Sequence, residues 1–269
     1  RTADIPLAVK RIMESKTFDN GTICASEQSV ICDEDMEAAV RMQMEREGAY
    51  FLEPEQQKML GGFILRANGT MNPMIVGRSA CQIARLAGIS VPEGTRVLVA
   101  KEDGVGRGHP YSNEKLAPIL AFYTGKDYRQ VCEICCQILH YEGAGHTFAI
   151  HTKDPEMIRY FAERVPVSRV VVNTPAALGG IGGTTGLMPS LTLGCGAVGG
   201  SATSENVGPY HLLNIRYVTQ GLRELSDIRA SMPGKEELFC ELAEGGERGT
   251  KEEDIDRIVE AVIRRMRQL

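Results

Sequence analysis

Apolar positions recur at helical spacing through residues 5–12, 34–47, 54–65 and 78–87, so four helices are expected in the first third of the chain. The first run stops at Thr17-Phe18-Asp19-Asn20-Gly21, a turn-forming stretch, and the fourth is closed by Gly88 with Pro92 beyond it. From residue 96 the pattern changes. Short, continuously apolar runs at 96–100, 119–123, 147–150 and 169–172 alternate with amphipathic stretches at 128–140 and 155–164. Strands without polar alternation, separated by helices, are buried on both faces, so the pattern predicts an α/β fold with a mostly parallel sheet flanked by helices.

The next segment, residues 173–208, is rich in Gly, Ser and Thr, with Gly179-Gly180, Gly182-Gly183 and Gly199-Gly200. It far exceeds an ordinary connection of ~4–6 residues, and loops of that length are commonly functional. A strand is expected at 212–218. Residues 230–250 are polar and Gly-bearing and read as a linker. Thr250 with Glu253 then forms a capping box ahead of Ile255, Ile258, Val259, Val262, Ile263, Met266 and Leu269, which share one face of an amphipathic helix over 251–269. The organisation expected is a catalytic-sized domain at 1–229, a linker, and a tethered C-terminal amphipathic helix.

With 43% hydrophobic and 24% charged residues, the chain of 269 has the composition of a packed globular protein and not of a disordered or fibrous one. Thirty Lys and Arg against 35 Asp and Glu leave a net charge of −5, which supplies no basic footprint for nucleic acid. Apolar runs such as Val170-Val171-Val172 are strand-sized, far short of the roughly 20 residues that cross a bilayer, so no membrane association is expected. Eight cysteines at irregular spacing fit reduced thiols in a cytoplasmic setting better than a disulfide framework.

Free thiols direct attention to Cys24, which follows the Gly-containing turn, where backbone amides converge on whatever the sulfur attacks. Local dipoles that lower a thiol's pKa make it a nucleophile, and the same amides stabilise an oxyanion, although cysteine is also a frequent core residue. The other candidates are weaker. Cys132, Cys135 and Cys136 lie in a helical pattern with no second ligand pair, so no metal site is expected there. Gly104-Val105-Gly106-Arg107-Gly108 lacks the strand-turn-helix setting of a dinucleotide loop, and His109, His140, His151 and His211 show no ligand spacing. Cys195 is read as packing.

Phe18, Gly21 and Cys24 reproduce the spacing of the nucleophile loop of the aldehyde dehydrogenase superfamily. Asn113-Glu114-Lys115-Leu116-Ala117-Pro118, Gly143-Ala144-Gly145-His146-Thr147, Asn173-Thr174-Pro175, Pro189-Ser190-Leu191-Thr192-Leu193-Gly194-Cys195-Gly196 and Ser204-Glu205-Asn206-Val207-Gly208-Pro209 follow in order. Together they resemble the CoA-acylating branch over residues 1–225. That resemblance implies an aldehyde dehydrogenase catalytic domain in which Cys24 attacks a short-chain aldehyde, propionaldehyde or acetaldehyde. The resulting thiohemiacetal gives up hydride to NAD or NADP, and the thioester is cleaved by coenzyme A, with no metal. It implies that Glu114 contacts the nicotinamide ribose and that His146, whose pKa lies near neutrality, assists proton transfer. It further implies a homo-oligomer with 212–218 at a subunit interface, and a location inside a bacterial microcompartment with 251–269 docking on shell proteins. Complete members carry a nucleotide-binding domain ahead of the cysteine, where this sequence has only 23 residues, so that domain is expected to be absent from this chain. Two other readings remain open: a catalytically silent docking module, and a non-acylating dehydrogenase that yields free acid. Retention of Cys24, Glu114 and His146 speaks against the first and the acylating-type Gly-rich segment against the second.

Overall fold

The structure is a computed structural model that describes residues 1–231, divided by its contacts into one unit over residues 1–213 and a second from residue 214. In the first unit α1 (Ile5–Thr17), β1 (Ser29–Asp33), α2 (Glu37–Arg46), β2 (Ala49–Phe51), α3 (Pro54–Ile64) and α4 (Ala80–Leu86) are followed by β3 (Val97–Lys101), β4 (Ile119–Gly125) and α5 (Tyr128–Tyr141). Then come β5 (Gly145–Ile150), α6 (Pro155–Ala162), β6 (Val167–Val172) and the short α7 (Ala176–Gly180). The second unit contributes α8 (Leu225–Ala230).

Four strands pair in the order β1-β4-β3-β2, all parallel, and β5 pairs with β6, also parallel. The pleat sorts the central strands between two cores. On one face Leu98, Ala100, Ile119, Ala121 and Tyr123 pack with Leu60, Ile64, Ile75 and Ile83; on the other Val97, Val99, Leu120 and Phe122 pack with Val9, Met13, Val40 and Met44. Both faces of β3 and β4 are therefore dry, which is why their sequences are apolar without alternation. Each such Leu, Ile or Phe contributes roughly 1.5–3 kcal/mol by leaving water. A third cluster joins Cys132 and Cys135 of α5 to Ile150, Phe161 and Val165, so these two thiols are packing groups.

The expected helices are all present with ends shifted by a few residues, α1 running on to Thr17. Two strands are additional. β2 is three residues long, and β1 has polar ends and only Val30 fully buried, so both exist through pairing with distant partners and not through a local pattern. The strand expected at 212–218 does not form. Pro209–Leu212 is a 3-10 turn, the residues beyond it carry no strand, and Val218 is 92% exposed. No neighbouring strand among the described residues offers it a ladder, and an extended segment without one has no backbone bonds to hold it. The linker expected at 230–250 falls almost wholly, and the amphipathic helix at 251–269 wholly, outside the described residues. Among the described residues no helix is long and apolar enough to cross a membrane.

Candidate functional site

Cys24 sits in the connection between α1 and β1. Asp4 caps the start of α1, with its carboxylate accepting from Leu7 N at 3.3 Å, and Pro6 occupies the first turn, where its missing N–H costs nothing. After Thr17 the chain turns through Phe18–Gly21, with Asp19 (φ 48) and Asn20 (φ 50) in the left-handed conformation that these two residue types tolerate best. Gly21 has φ 74, and a Cβ there would stand 2.8 Å from the carbonyl oxygen of Ala117. Only glycine lets the turn lie so close to the segment that carries Glu114.

That second segment is pinned from beneath. Lys115 is 1% exposed, and its ammonium donates to the carbonyls of Tyr111 and, at 2.7 Å, Asn113. Its backbone N–H donates to Gln28 Oε1 at 3.0 Å, joining the Glu114 loop to the start of β1. Further bonds reach α7. Glu27 Oε1 accepts from Ala176 N at 3.0 Å and Ser15 Oγ from Ala177 N at 2.8 Å, while a Cβ on Gly180 would stand 2.9 Å from that of Ala25. His146 opens β5 beside Gly145 (φ 80), where a Cβ would lie 2.1 Å from the carbonyl oxygen of Cys195. The imidazole Nδ1 lies 3.0 Å from Thr147 Oγ1.

These segments meet at a cavity of ≈ 660 Å³ whose lining includes Cys24, Glu27, Glu114, Glu142 and His146. All three residues singled out from the sequence are therefore brought to one space. The cavity continues between β1 and β5, the outer strands of their respective sheets, to a far end where the Arg1 amino group meets Asp33 Oδ2 at 2.9 Å and Lys153 N donates to Thr2 O at 3.0 Å.

The electrostatics assign resting protonation states. Partial burial, and then the charge of Glu114, push the Cys24 thiol above its ordinary value and outweigh the backbone N–H groups of Cys24 and Ala25 that pull it down. The lowered thiol pKa expected from the turn is thus not what the site provides: the thiol rests protonated and a base must activate it. Burial, and then the cation of Arg169, hold His146 below its usual range, so its imidazole is neutral. Burial and Glu142 raise Glu114. A protonated nucleophile, a neutral base and a carboxylate facing one cavity suit covalent chemistry with proton transfer.

Four residues that the hydrophobic pattern did not single out support this group. Lys16 is 0% exposed with no partner for its ammonium, and Glu27 Oε2 is enclosed and unpartnered among the described residues. Burial pulls Lys16 from 10.5 to about 7 and pushes Glu27 from 4.5 to about 7. Arg169 and Asn206 are 5% and 3% exposed. A lysine on the buried face of α1 and an arginine inside an apolar strand were the available signals, since such positions retain a charge only against a specific surrounding. Elsewhere, His109 Nδ1 lies 2.9 Å from a Glu102 carboxylate oxygen and 3.7 Å from that of Asp103, a partly exposed group away from the cavity lining.

The Lys16 and Glu27 pKa values have a sign that stability measurements test. Between pH 4.5 and about 7 the folded chain holds the Glu27 proton that the unfolded chain has released, so stability falls as pH rises. Between about 7 and 10.5 the unfolded chain holds the Lys16 proton that the folded chain has released, so stability climbs, with Lys115 acting in the same sense. Lys16→Met is expected to stabilise the chain at pH 7 by on the order of a few kcal/mol, and the gain should shrink at pH 9. Urea midpoints at the two pH values check this, and a gain independent of pH would show that Lys16 is not the group titrating.

No family model matches the chain. The bifunctional aldehyde-alcohol dehydrogenase of Escherichia coli is 44% identical over 224 residues, 81% of this chain and 25% of the relative. The succinate-semialdehyde dehydrogenase (acetylating) of Clostridium kluyveri is 38% identical over 237 residues, 88% of this chain and 51% of the relative. Among solved structures, a probable aldehyde dehydrogenase from Listeria monocytogenes superposes with a TM-score of 0.82 at 58% identity, over 85% of this chain and 51% of that one. A propionaldehyde dehydrogenase from a fucose-utilisation bacterial microcompartment of Clostridium phytofermentans gives 0.68 at 27% identity, over 76% and 46%. The chain thus spans about a quarter to a half of the proteins it matches.

Proposed function

Sequence and fold make this chain a relative of the acylating aldehyde dehydrogenases, and on that footing we propose that it forms the catalytic part of a CoA-acylating enzyme for short-chain aldehydes. The convergence of Cys24, Glu114 and His146, from three separated segments, on one cavity is the observation that carries the proposal. Cys24 is the nucleophile. Loss of its proton to a neighbouring base lets the sulfur add to the aldehyde carbonyl, giving a thiohemiacetal whose oxygen lies near the Cys24 and Ala25 amides. A nicotinamide cofactor, NAD or NADP, supplies the hydride acceptor, and Glu114, held at the cavity by the buried Lys115, is the residue that would hold its ribose. In the second half-reaction neutral His146 takes the proton of the CoA thiol, whose sulfur attacks the Cys24 thioester and releases acyl-CoA with the cysteine regenerated.

The aldehydes named in the relatives, together with coenzyme A and a nicotinamide, are the partners this reading assigns. A homo-oligomer is proposed on the run of exposed apolar residues from Leu212 (86%) to Val218 (92%), more than a solvated segment ordinarily shows. Residence inside a microcompartment, with 251–269 docking on its shell, is proposed on the Clostridium phytofermentans relative alone.

The second half-reaction run backwards needs no nicotinamide, so the chain itself tests the assignment. Incubation with propionyl-CoA is expected to leave one propionyl group on Cys24, located by peptide mass mapping, and added CoA should remove it. No acyl group on the chain, or one on another cysteine, would overturn the assignment of Cys24.

A further inference from the structure

Arg169 rises from β6 into a wholly neutral shell. Its Nε donates to Asn206 Oδ1 at 2.9 Å, Nη2 to the carbonyls of Gly194 at 2.6 Å and Ser204 at 3.0 Å, and Nη1 to the carbonyl of His146 at 3.4 Å. Asn206 is fixed in turn, its Nδ2 donating to the carbonyls of Gly180 at 2.9 Å and Met188 at 2.8 Å. One fork therefore ties the start of β5, both limbs of the Leu193–Asn206 bridge and the end of α7, and α7 touches Ala25 beside the nucleophile. A guanidinium has five donors in a rigid plane and cannot give up its proton, which suits it to hold several carbonyls in a fixed arrangement.

An ordinary structural arginine buried to 5% exposure is paired with a carboxylate, because an uncompensated charge is costly to desolvate. Here every contact is a neutral oxygen, so the positive charge is projected onto its surroundings. The titratable groups around His146 are Arg169 from β6, Cys195 from the Gly-rich segment, and, lining the same end of the cavity, Cys24 and Glu27 of the nucleophile loop with Glu114 and Glu142; α7, also packed on β5, has none.

We propose that Arg169, locked by Asn206, is a positioning residue of the acyl-transfer site, an unneutralised cation whose fork clamps the backbone carbonyl of His146 and fixes that residue at the cavity it shares with Cys24, with the charge held beside the imidazole. The role in acyl transfer rests on the function proposed above; the coupling between Arg169 and His146 does not. The two are separated by experiment on the 269-residue chain. Proton NMR follows the imidazole titration of His146, identified by the signal missing in His146→Ala. Arg169→Gln should move its midpoint upward, since the charge opposing protonation is gone, whereas Arg169→Lys, which keeps the charge, should leave it near the parent.

Transfer of propionyl from Cys24 to CoA is measured in parallel against pH. Its acidic limb should shift upward with the midpoint in Arg169→Gln and stay in place in Arg169→Lys. Lysine cannot span the four oxygens, so Arg169→Lys should lower the plateau. A residue that merely stabilised the fold would lower the plateau in both without moving the limb. An unmoved His146 midpoint in a folded Arg169→Gln chain overturns the coupling. Should that variant not fold, Arg169→Lys decides: parental midpoint with reduced transfer supports the clamp, and parental transfer overturns it. A moved midpoint in a chain that never accepts propionyl would leave the coupling standing and refute the function.

Discussion

Cys24→Ala is expected to leave a folded chain that propionyl-CoA no longer acylates, with the loss at least ~10³-fold, because removal of a covalent nucleophile leaves no alternative path of comparable barrier. Three of the other thiols are poorly suited to substitute. Cys32 is pushed up to about 12 by burial and the carboxylates of Glu37 and Asp33, Cys132 to about 11 by burial and Cys136, and Cys135 higher still by burial. Cys24 is itself raised, so its own alkylation by iodoacetamide should accelerate with pH above the ordinary thiol range. Mass-resolved peptide maps of parent and variant check both statements; undiminished acylation of the alanine variant would place the nucleophile elsewhere.

The second large effect falls on His146→Ala. Loss of a positioned base costs typically 10²–10⁴-fold in proton transfer, so return of the acyl group from Cys24 to CoA should slow by about that factor at neutral pH. The deficit should narrow at alkaline pH, where the CoA thiol ionises without help. Folding should be little affected, because among the described residues the ring's only side-chain hydrogen bond is to the adjacent Thr147. Quenched-flow measurement of acyl-CoA release reads the effect; release at the parental rate would mean that the imidazole is structural and that CoA loses its proton to water or to Glu114.

The fold was legible wherever local pattern and tertiary role coincide. β3 and β4 are buried on both faces and therefore read as continuous apolar runs, and α3 to α6 carry caps and stripes that their sequences announce. β1 and β2 were not legible because their existence depends on register with β4 and β3, and a five-residue or three-residue segment has no period of its own. At 212–218 the opposite happened: strand-forming residues were present without a partner. The candidate site followed the same division. Cys24 was visible from its turn, and Glu114 and His146 through motif order, but Glu27, Arg169 and Asn206 act through partners between 18 and 149 residues away along the chain, and no spacing rule anticipates such pairings. The raised pKa of Cys24 was hidden for a related reason, since it depends on how deeply the sulfur is shielded and on a carboxylate 90 positions further on.

One consequence concerns motion. Cys24 precedes the first strand of the four-stranded sheet and His146 opens the two-stranded one, and among the described residues no ladder joins β1 to β5. The separation between nucleophile and base is thus not fixed by sheet hydrogen bonds. It is held instead by α5, which packs on β1 and, through Cys132 and Cys135, on Ile150 of β5, and by the seams at Glu27 to Ala176 and Ala25 to Gly180. A relative shift of the two sheets would therefore break the Glu27–Ala176 hydrogen bond and open the Ala25–Gly180 contact while leaving every strand ladder intact. A molecule that fills the space between β1 and β5 is thus expected to bear on the spacing of Cys24 and His146 at the opposite end of the cavity.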